Sequence, residues 1–199
     1  MTFRVLHVCT GNICRSPLAE HLMRAGLQER LGPAAADFVV ESAGTWGHTG
    51  AGMEPFALST LAAFGVDGAS FRARELVAEH VAGADLVLTA TRDHRAAAVV
   101  LHPRAAARTF TLREFDRLLS ALDPGLDPAL GPAAEPAGDR VERARALVRA
   151  AAGKRGIVRP ERPEDDDVVD PYQGPESGFT ACGRLVHATL QRPLDLLAG

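Results

Sequence analysis

Apolar positions along this chain recur with two different periods. Phe3, Val5, Leu6 and Val8 form a short run of the kind a buried strand makes. Leu18, Leu22, Met23, Leu27 and Leu31 then fall on one stripe at helical spacing, and Gly32-Pro33 stops the pattern. Phe38, Val39 and Val40 read as a second strand ending at Ser42-Ala43-Gly44, followed by a helix over 55–64 on Leu58, Leu61 and Ala62. A helical stretch at 76–81 leads to a third strand at 84–89, an Ala-rich helix at 92–101 and a short fourth strand at 107–111. Leu112, Phe115, Leu118, Leu119 and Leu122 mark the next helix. Strands alternating with helices predict a three-layer, doubly wound α/β fold, a four-stranded parallel sheet with helices on both faces.

The segment at about 123–167 departs from this rhythm. Pro, Gly, Ala and charge dominate it, and it holds one helix at 139–152, on Val141, Ala144, Leu147 and Val148. The rest, with Gly153-Lys154-Arg155-Gly156 and Glu164-Asp165-Asp166-Asp167, reads as mobile linker whose acidic run is solvated. A closing helix at 176–197 turns Phe179, Cys182, Val186 and Leu190 inward, with Pro193 bending or ending it. The 199 residues are expected to form one domain, 1–199, carrying that segment as an insertion.

Composition removes several classes of function. A net charge of −3 gives no electrostatic reason to bind nucleic acid or an acidic membrane. No apolar run approaches the ~20 residues of a membrane span, and the first residues run straight into a strand without a signal-peptide pattern. Three cysteines make no disulfide framework, so the cytoplasm is the expected compartment. No His-x-x-His or Cys-x-x-Cys spacing occurs, so neither metal nor cofactor is expected.

The chemistry concentrates between the first strand and the first helix, in Val8-Cys9-Thr10-Gly11-Asn12-Ile13-Cys14-Arg15-Ser16-Pro17. Ser16 followed by Pro17 signals a helix start, with serine as N-cap. A five-residue loop wrapped over a helix N-terminus turns its N–H groups inward and makes an anion site. Gly11 permits close approach or a positive φ, and Asn12 tolerates the left-handed region. Arg15 can present a planar fork to two phosphate oxygens. Cys9, at the floor, is placed for in-line attack on phosphorus, its thiolate stabilised by the amides, the helix end and Arg15. The Ser16 hydroxyl can donate to the sulfur and help it leave.

With Leu18-Ala19-Glu20 appended, this signature strongly resembles that of the low-molecular-weight protein tyrosine phosphatases and of the arsenate reductases that share their fold. Glu41-Ser42-Ala43-Gly44-Thr45, Arg72-Ala73-Arg74 and Asp170-Pro171-Tyr172 match further family segments in order. The resemblance implies hydrolysis of protein phosphotyrosine and small aryl phosphates through a cysteinyl-phosphate, without a cofactor. It assigns Cys9 as nucleophile, Arg15 as transition-state clamp and Asp170 as acid and then base. Thr10, Gly11, Asn12, Ile13, Cys14 and Ser16 would hold the phosphate, and Ser42 would support Asn12. Trp46, in a Gly-rich loop, either stacks on an aryl ring or anchors the rim, and Tyr172 would line the mouth. Glu54 stands where the family usually has Asp, Phe71 where it has a His that supports the asparagine, and Gln173 where relatives often have tyrosine.

Cys14 is either an inert loop thiol or, as in some relatives, the partner of Cys9 in a reversible disulfide. Cys182 reads as helix core, and His7 as a satisfied strand histidine. Two other functions stay open. One is arsenate reduction with an external small-molecule thiol, since 89–98 contains no cysteine for an internal route. The other is a non-catalytic anion- or phosphoprotein-binding module.

Overall fold

The computed structural model describes residues 1–123 and 137–198. Its elements run β1 (Phe3–Cys9), α1 (Arg15–Leu31), β2 (Phe38–Gly44), α2 (Pro55–Ala63), α3 (Ala78–Gly83), β3 (Leu86–Thr89), α4 (Arg92–Leu101), β4 (Thr109–Thr111), α5 (Leu112–Ser120), α6 (Ala137–Lys154) and α7 (Glu176–Ala198). The strands form one sheet in the order β2-β1-β3-β4, every pair parallel. This is the doubly wound α/β arrangement that the alternation of strands and helices predicts. Chain direction across the sheet reverses between β1 and β3, and a crevice opens beyond their carboxyl ends.

Alternating residues of β1 feed two cores. Phe3, Val5 and Cys9 point into the larger one, shared with α1, α2, α5, α6 and α7. Leu6 and Val8 point into the smaller one, with Val81 of α3 and Ala98 of α4. A strand buried on both faces has to be apolar at nearly every position, which is why β1 reads as a run rather than an alternation.

Several boundaries differ from the sequence reading. α1 begins at Arg15, with Cys14 rather than Ser16 as its N-cap. The Cys14 carbonyl already accepts from the Leu18 N–H at 3.1 Å, and the Ser16 hydroxyl is taken by other partners. The helical stretch expected at 76–81 starts later, at Ala78, because the Leu76 N–H is held by the Gly44 carbonyl at 2.7 Å. Residues 107 and 108 belong to a 3₁₀ turn opened by Pro103, which leaves β4 only three residues. Pro193 does not end α7. Leu190, Leu194 and Leu197 stay buried through it, and Gly26 of α1 makes the room: a Cβ there would lie 2.4 Å from the Leu194 Cδ1.

The largest correction concerns residues 137–168. α6 forms and buries Val141, Ala144, Leu147 and Val148 against the main core. Beyond it the second half of the acidic run is fastened, while Glu164 stays exposed and Asp165 pairs with the exposed Arg162. Asp166 is buried and pairs with Arg117 at 2.7 Å, its carbonyl accepts from the Thr111 hydroxyl at 2.6 Å, and Asp167 pairs with Arg92 at 2.9 Å. Arg155 bonds Glu114 at 3.1 Å and lies 3.8 Å over the Phe110 ring. Composition suggested a linker because the partners of these charges come from α4 and α5, far away in sequence. Residues 124–136 of the expected insertion lie outside the described residues.

Candidate active site

The loop between β1 and α1 is held from outside by its carbonyl oxygens. Cys9, Thr10 and Gly11 accept from the N–H groups of Thr45, Trp46 and His48 at 2.9, 3.0 and 3.0 Å, and Ile13 accepts from Glu54 at 2.9 Å. A planar trans peptide carries its N–H opposite its carbonyl. With the Thr10, Gly11 and Ile13 carbonyls drawn outward, the N–H groups of Gly11, Asn12 and Cys14 turn inward. They join the open first turn of α1 in one concave anion site.

Asn12 pins the bend. Its φ is 54° and its side chain is fully buried. Its Nδ2 donates to Ser16 Oγ at 2.9 Å and to Ser42 Oγ at 2.7 Å, while its Oδ1 accepts from the Arg74 N–H at 2.9 Å. With Phe71 in place, Asn12 still has both N–H donors and its carbonyl oxygen bonded, to Ser16, Ser42 and the Arg74 backbone, and Phe71 packs edge-on to His21. The Ser42 hydroxyl in turn donates a hydrogen bond to the buried Glu20, which Arg24 holds at 2.7 Å. Glu54 caps α2 by accepting from the Ala57 N–H at 3.0 Å.

Cys9 Sγ lies 3.0 Å from Ser16 Oγ. Since Ser16 Oγ already accepts from Asn12, its hydroxyl proton is free to point at the sulfur, and a thiolate is the better acceptor. Arg15 is only 5% exposed. One terminal nitrogen donates to the Val168 carbonyl at 3.1 Å, and the other to Asp170 at 2.5 Å and Thr10 Oγ1 at 3.3 Å. Its Nε is buried without a hydrogen-bond partner among the described residues. Arg74 and Arg143 each have one such buried nitrogen as well, so what sets Arg15 apart is its place beside Thr10 and Asp170 in the loop.

Cys9, Thr10, Gly11, Ile13, Cys14, Arg15, Trp46, His48, Asp170 and Tyr172 line one hollow of about 160 Å³. That is well below the ~300–1,000 Å³ of drug-sized sites and suits a small head group. Ile13, Trp46 and Tyr172 give it apolar and aromatic walls. Trp46 is 76% exposed, so it stands on the rim rather than anchoring a core. Cys9, Thr10, Gly11, Ile13, Cys14, Arg15, Trp46, Asp170 and Tyr172 among the sequence-derived candidates thus share one space, while Asn12, Ser16 and Ser42 are buried outside its lining and bonded to one another through Asn12.

Of the other titratable groups, Cys14 lines that space, while Cys182 and His7 lie outside its lining. Burial, with the Cys9 charge second, pushes the Cys14 thiol up. Burial pushes Cys182 up to about 12. His7 faces Met23 Sδ at 3.3 Å, and burial followed by the Arg24 charge takes it down to about 3. Among the described residues no three His, Cys, Asp or Glu side chains are grouped to hold a metal ion, and no helix is long and apolar enough to cross a membrane.

Sequence reasoning missed Glu20, His48, Arg92 and His94. His94 bridges the hydroxyls of Thr10 and Thr91 at 2.9 and 2.8 Å. The available signal was Thr91-x-x-His94, a capping threonine with a histidine facing back to it.

A model of the low molecular weight phosphotyrosine protein phosphatases matches residues 4–133. A low molecular weight protein-tyrosine-phosphatase of Streptomyces coelicolor is 34% identical over 193 residues, covering 94% of this chain and 89% of that protein. A protein-arginine-phosphatase of Geobacillus stearothermophilus is 36% identical over 115 residues, 58% of this chain and 72% of that one. Among solved structures, the low molecular weight protein tyrosine phosphatase of T. tengcongensis superimposes with a TM-score of 0.67 at 27% identity, over 98% of this chain and 99% of that one.

Proposed function

The chain belongs to the low molecular weight phosphotyrosine protein phosphatase family, and on that premise we propose that it hydrolyses phosphotyrosine in proteins, and small aryl phosphates, through Cys9. The observation that carries this reading is the convergence of Cys9, Arg15 and Asp170 on one hollow walled by Ile13, Trp46 and Tyr172, with Ser16 Oγ 3.0 Å from the Cys9 sulfur. The phosphoryl group sits on the inward amides with two oxygens on Arg15. The Cys9 thiolate attacks phosphorus in line, and Asp170 gives its proton to the departing phenolate. Asp170 then takes a proton from water as that water attacks phosphorus, and the Ser16 hydroxyl steadies the sulfur as the S–P bond breaks.

An aryl group suits these walls better than a second guanidinium. The one carboxylate at the hollow, Asp170, already lies on Arg15 at 2.5 Å. Arsenate reduction by an external thiol would use the same cradle, but no observation favours it over hydrolysis. We further infer one domain over 1–199. Three unpaired cysteines fit a reducing compartment such as the cytoplasm.

The test is pre-steady-state hydrolysis of an aryl phosphate in the presence of chelator, with mass spectrometry of the trapped protein. A burst with phosphate on Cys9 is expected. Cys9→Ser should abolish turnover, and Asp170→Asn should slow it by ~10²–10⁴. Undiminished hydrolysis by Cys9→Ser overturns the proposal. A clear preference for a phosphoarginine peptide over a phosphotyrosine peptide would reassign the substrate class.

A further inference from the structure

The cradle and the Asp170 segment are far apart in sequence, yet both are fastened to the first turn of α4. We propose that this turn is a positioning platform for the reaction: His94 fixes the arginine clamp through Thr10, and Arg92 fixes the acid through Asp167. The proposal rests on the phosphatase reading above and names two residues beyond it.

On the cradle side, His94 Nε2 lies 2.9 Å from Thr10 Oγ1 and Nδ1 lies 2.8 Å from Thr91 Oγ1. Thr91 caps α4 and also accepts from the His94 N–H at 3.4 Å, so the ring is held from its own helix. Burial, with the Arg15 charge second, takes His94 down to about 4. A neutral imidazole donates through one nitrogen and accepts through the other. The ring can therefore bridge two hydroxyls, and Thr10 Oγ1 keeps a lone pair for Arg15, which donates to it at 3.3 Å. The same Arg15 nitrogen reaches Asp170. Thr10 is thus one of the supports that set the direction of the guanidinium fork.

On the acid side, Asp167 Oδ1 accepts from the Arg92 backbone N–H at 2.8 Å, and Arg92 Nη2 donates to Oδ2 at 2.9 Å. Next to it, the Val168 N–H donates to the Ala90 carbonyl at 2.8 Å, and the Val168 carbonyl accepts from Arg15 Nη1 at 3.1 Å. Asp170 follows two residues later, where it accepts from Arg15 at 2.5 Å and from the Tyr172 N–H at 3.2 Å. Residues two apart on a helix face different directions, so Arg92 and His94 can serve different segments. Positioning of this kind is expensive to lose, because about 1 Å of misplacement can cost ~10²-fold in rate.

The two halves predict different kinetic signatures. Nitrophenyl phosphate has a good leaving group and phenyl phosphate a poor one, so only the second depends strongly on the acid. Arg92→Ala should lower kcat/KM for phenyl phosphate by ~10-fold or more and for nitrophenyl phosphate by less than ~3-fold. His94→Ala should raise Ki for inorganic phosphate and lower kcat/KM for both substrates by a similar factor, on the order of 10-fold, and His94→Gln should recover most of the loss. Urea midpoints separate these effects from unfolding. If the alanine variants do not fold, Arg92→Lys and His94→Gln carry the comparison, the first expected to show a smaller loss of the same leaving-group pattern. Equal losses on both substrates for the Arg92 variants, or a phosphate Ki for His94→Ala within ~2-fold of wild type, overturn the proposal. Failure of the wild type to hydrolyse either ester would instead count against the phosphatase reading, while phosphate binding would still test His94.

Discussion

Asn12 holds a left-handed φ of 54° and spends both amide hydrogens and its carbonyl oxygen on Ser16, Ser42 and the Arg74 N–H. A buried side chain bonded through both its amide nitrogen and its oxygen ties the loop to α1, β2 and the Arg74 backbone, and it leaves the Ser16 proton for the sulfur. Gly44 is as constrained, for a steric reason: a Cβ there would stand 2.3 Å from the Thr10 carbonyl and 2.9 Å from the Asn12 nitrogen, both backbone atoms. Gly44→Ala should therefore push the loop off β2. The expected outcome is a loss of kcat/KM of at least ~10²-fold, through misplaced amides, at a urea midpoint lowered by overpacking of ~1–3 kcal/mol. Steady-state hydrolysis of nitrophenyl phosphate beside urea unfolding checks it. At this scale Gly11, Asn12 and Arg15 were legible because their roles are local. Ser42 was legible only through the resemblance to a family, and Glu20, Arg92 and His94 were not, since each acts on a partner brought up by the fold.

α6 and the segment after it show what an element adds to a site it does not touch. α6 lays Val141, Ala144, Leu147 and Val148 into the core beneath the sheet. The chain leaving it is then strapped to α5 by Asp166–Arg117 and to α4 by Asp167–Arg92. Asp170 is delivered at the end of that strap. Leu147 is fully buried, so Leu147→Ala should cost about 2–5 kcal/mol in urea unfolding. The folded fraction should keep kcat/KM within ~2-fold, because the strap's ion pairs are untouched. A large kinetic loss with little loss of stability would mean that α6 couples to the site directly. Its helical period was readable in the sequence. The fastening of Asp166 and Asp167 was not, because charge composition says nothing about which arginines will face them.

For the whole molecule, the reversal of winding between β1 and β3 places the Cys9 loop, the end of β3 and the Asp170 strap around one crevice. The same packing makes the protein sensitive to acid. His7 and His94 titrate at about 3 and about 4 in the fold, below the ordinary 6.5 that they regain on unfolding. Between pH 6.5 and 4 the unfolded chain thus binds protons that the native state refuses, so stability falls as pH drops, by up to ~1.4 kcal/mol per pH unit for each histidine. Urea unfolding from pH 7 to 4.5 should show the decline, and His7→Leu should gain on wild type progressively below pH 6.5. A constant gap would mean that His7 accepts its proton in place. By itself the sequence determined the alternation of strands and helices, the order of the chemistry-bearing motifs and the curl of the Cys9–Arg15 loop, because these depend on periods and on backbone freedom within a few residues. Only the tertiary structure decided which distant side chains hold that loop and the acid in register: their partners are chosen by the proximity of elements, and no local pattern encodes proximity.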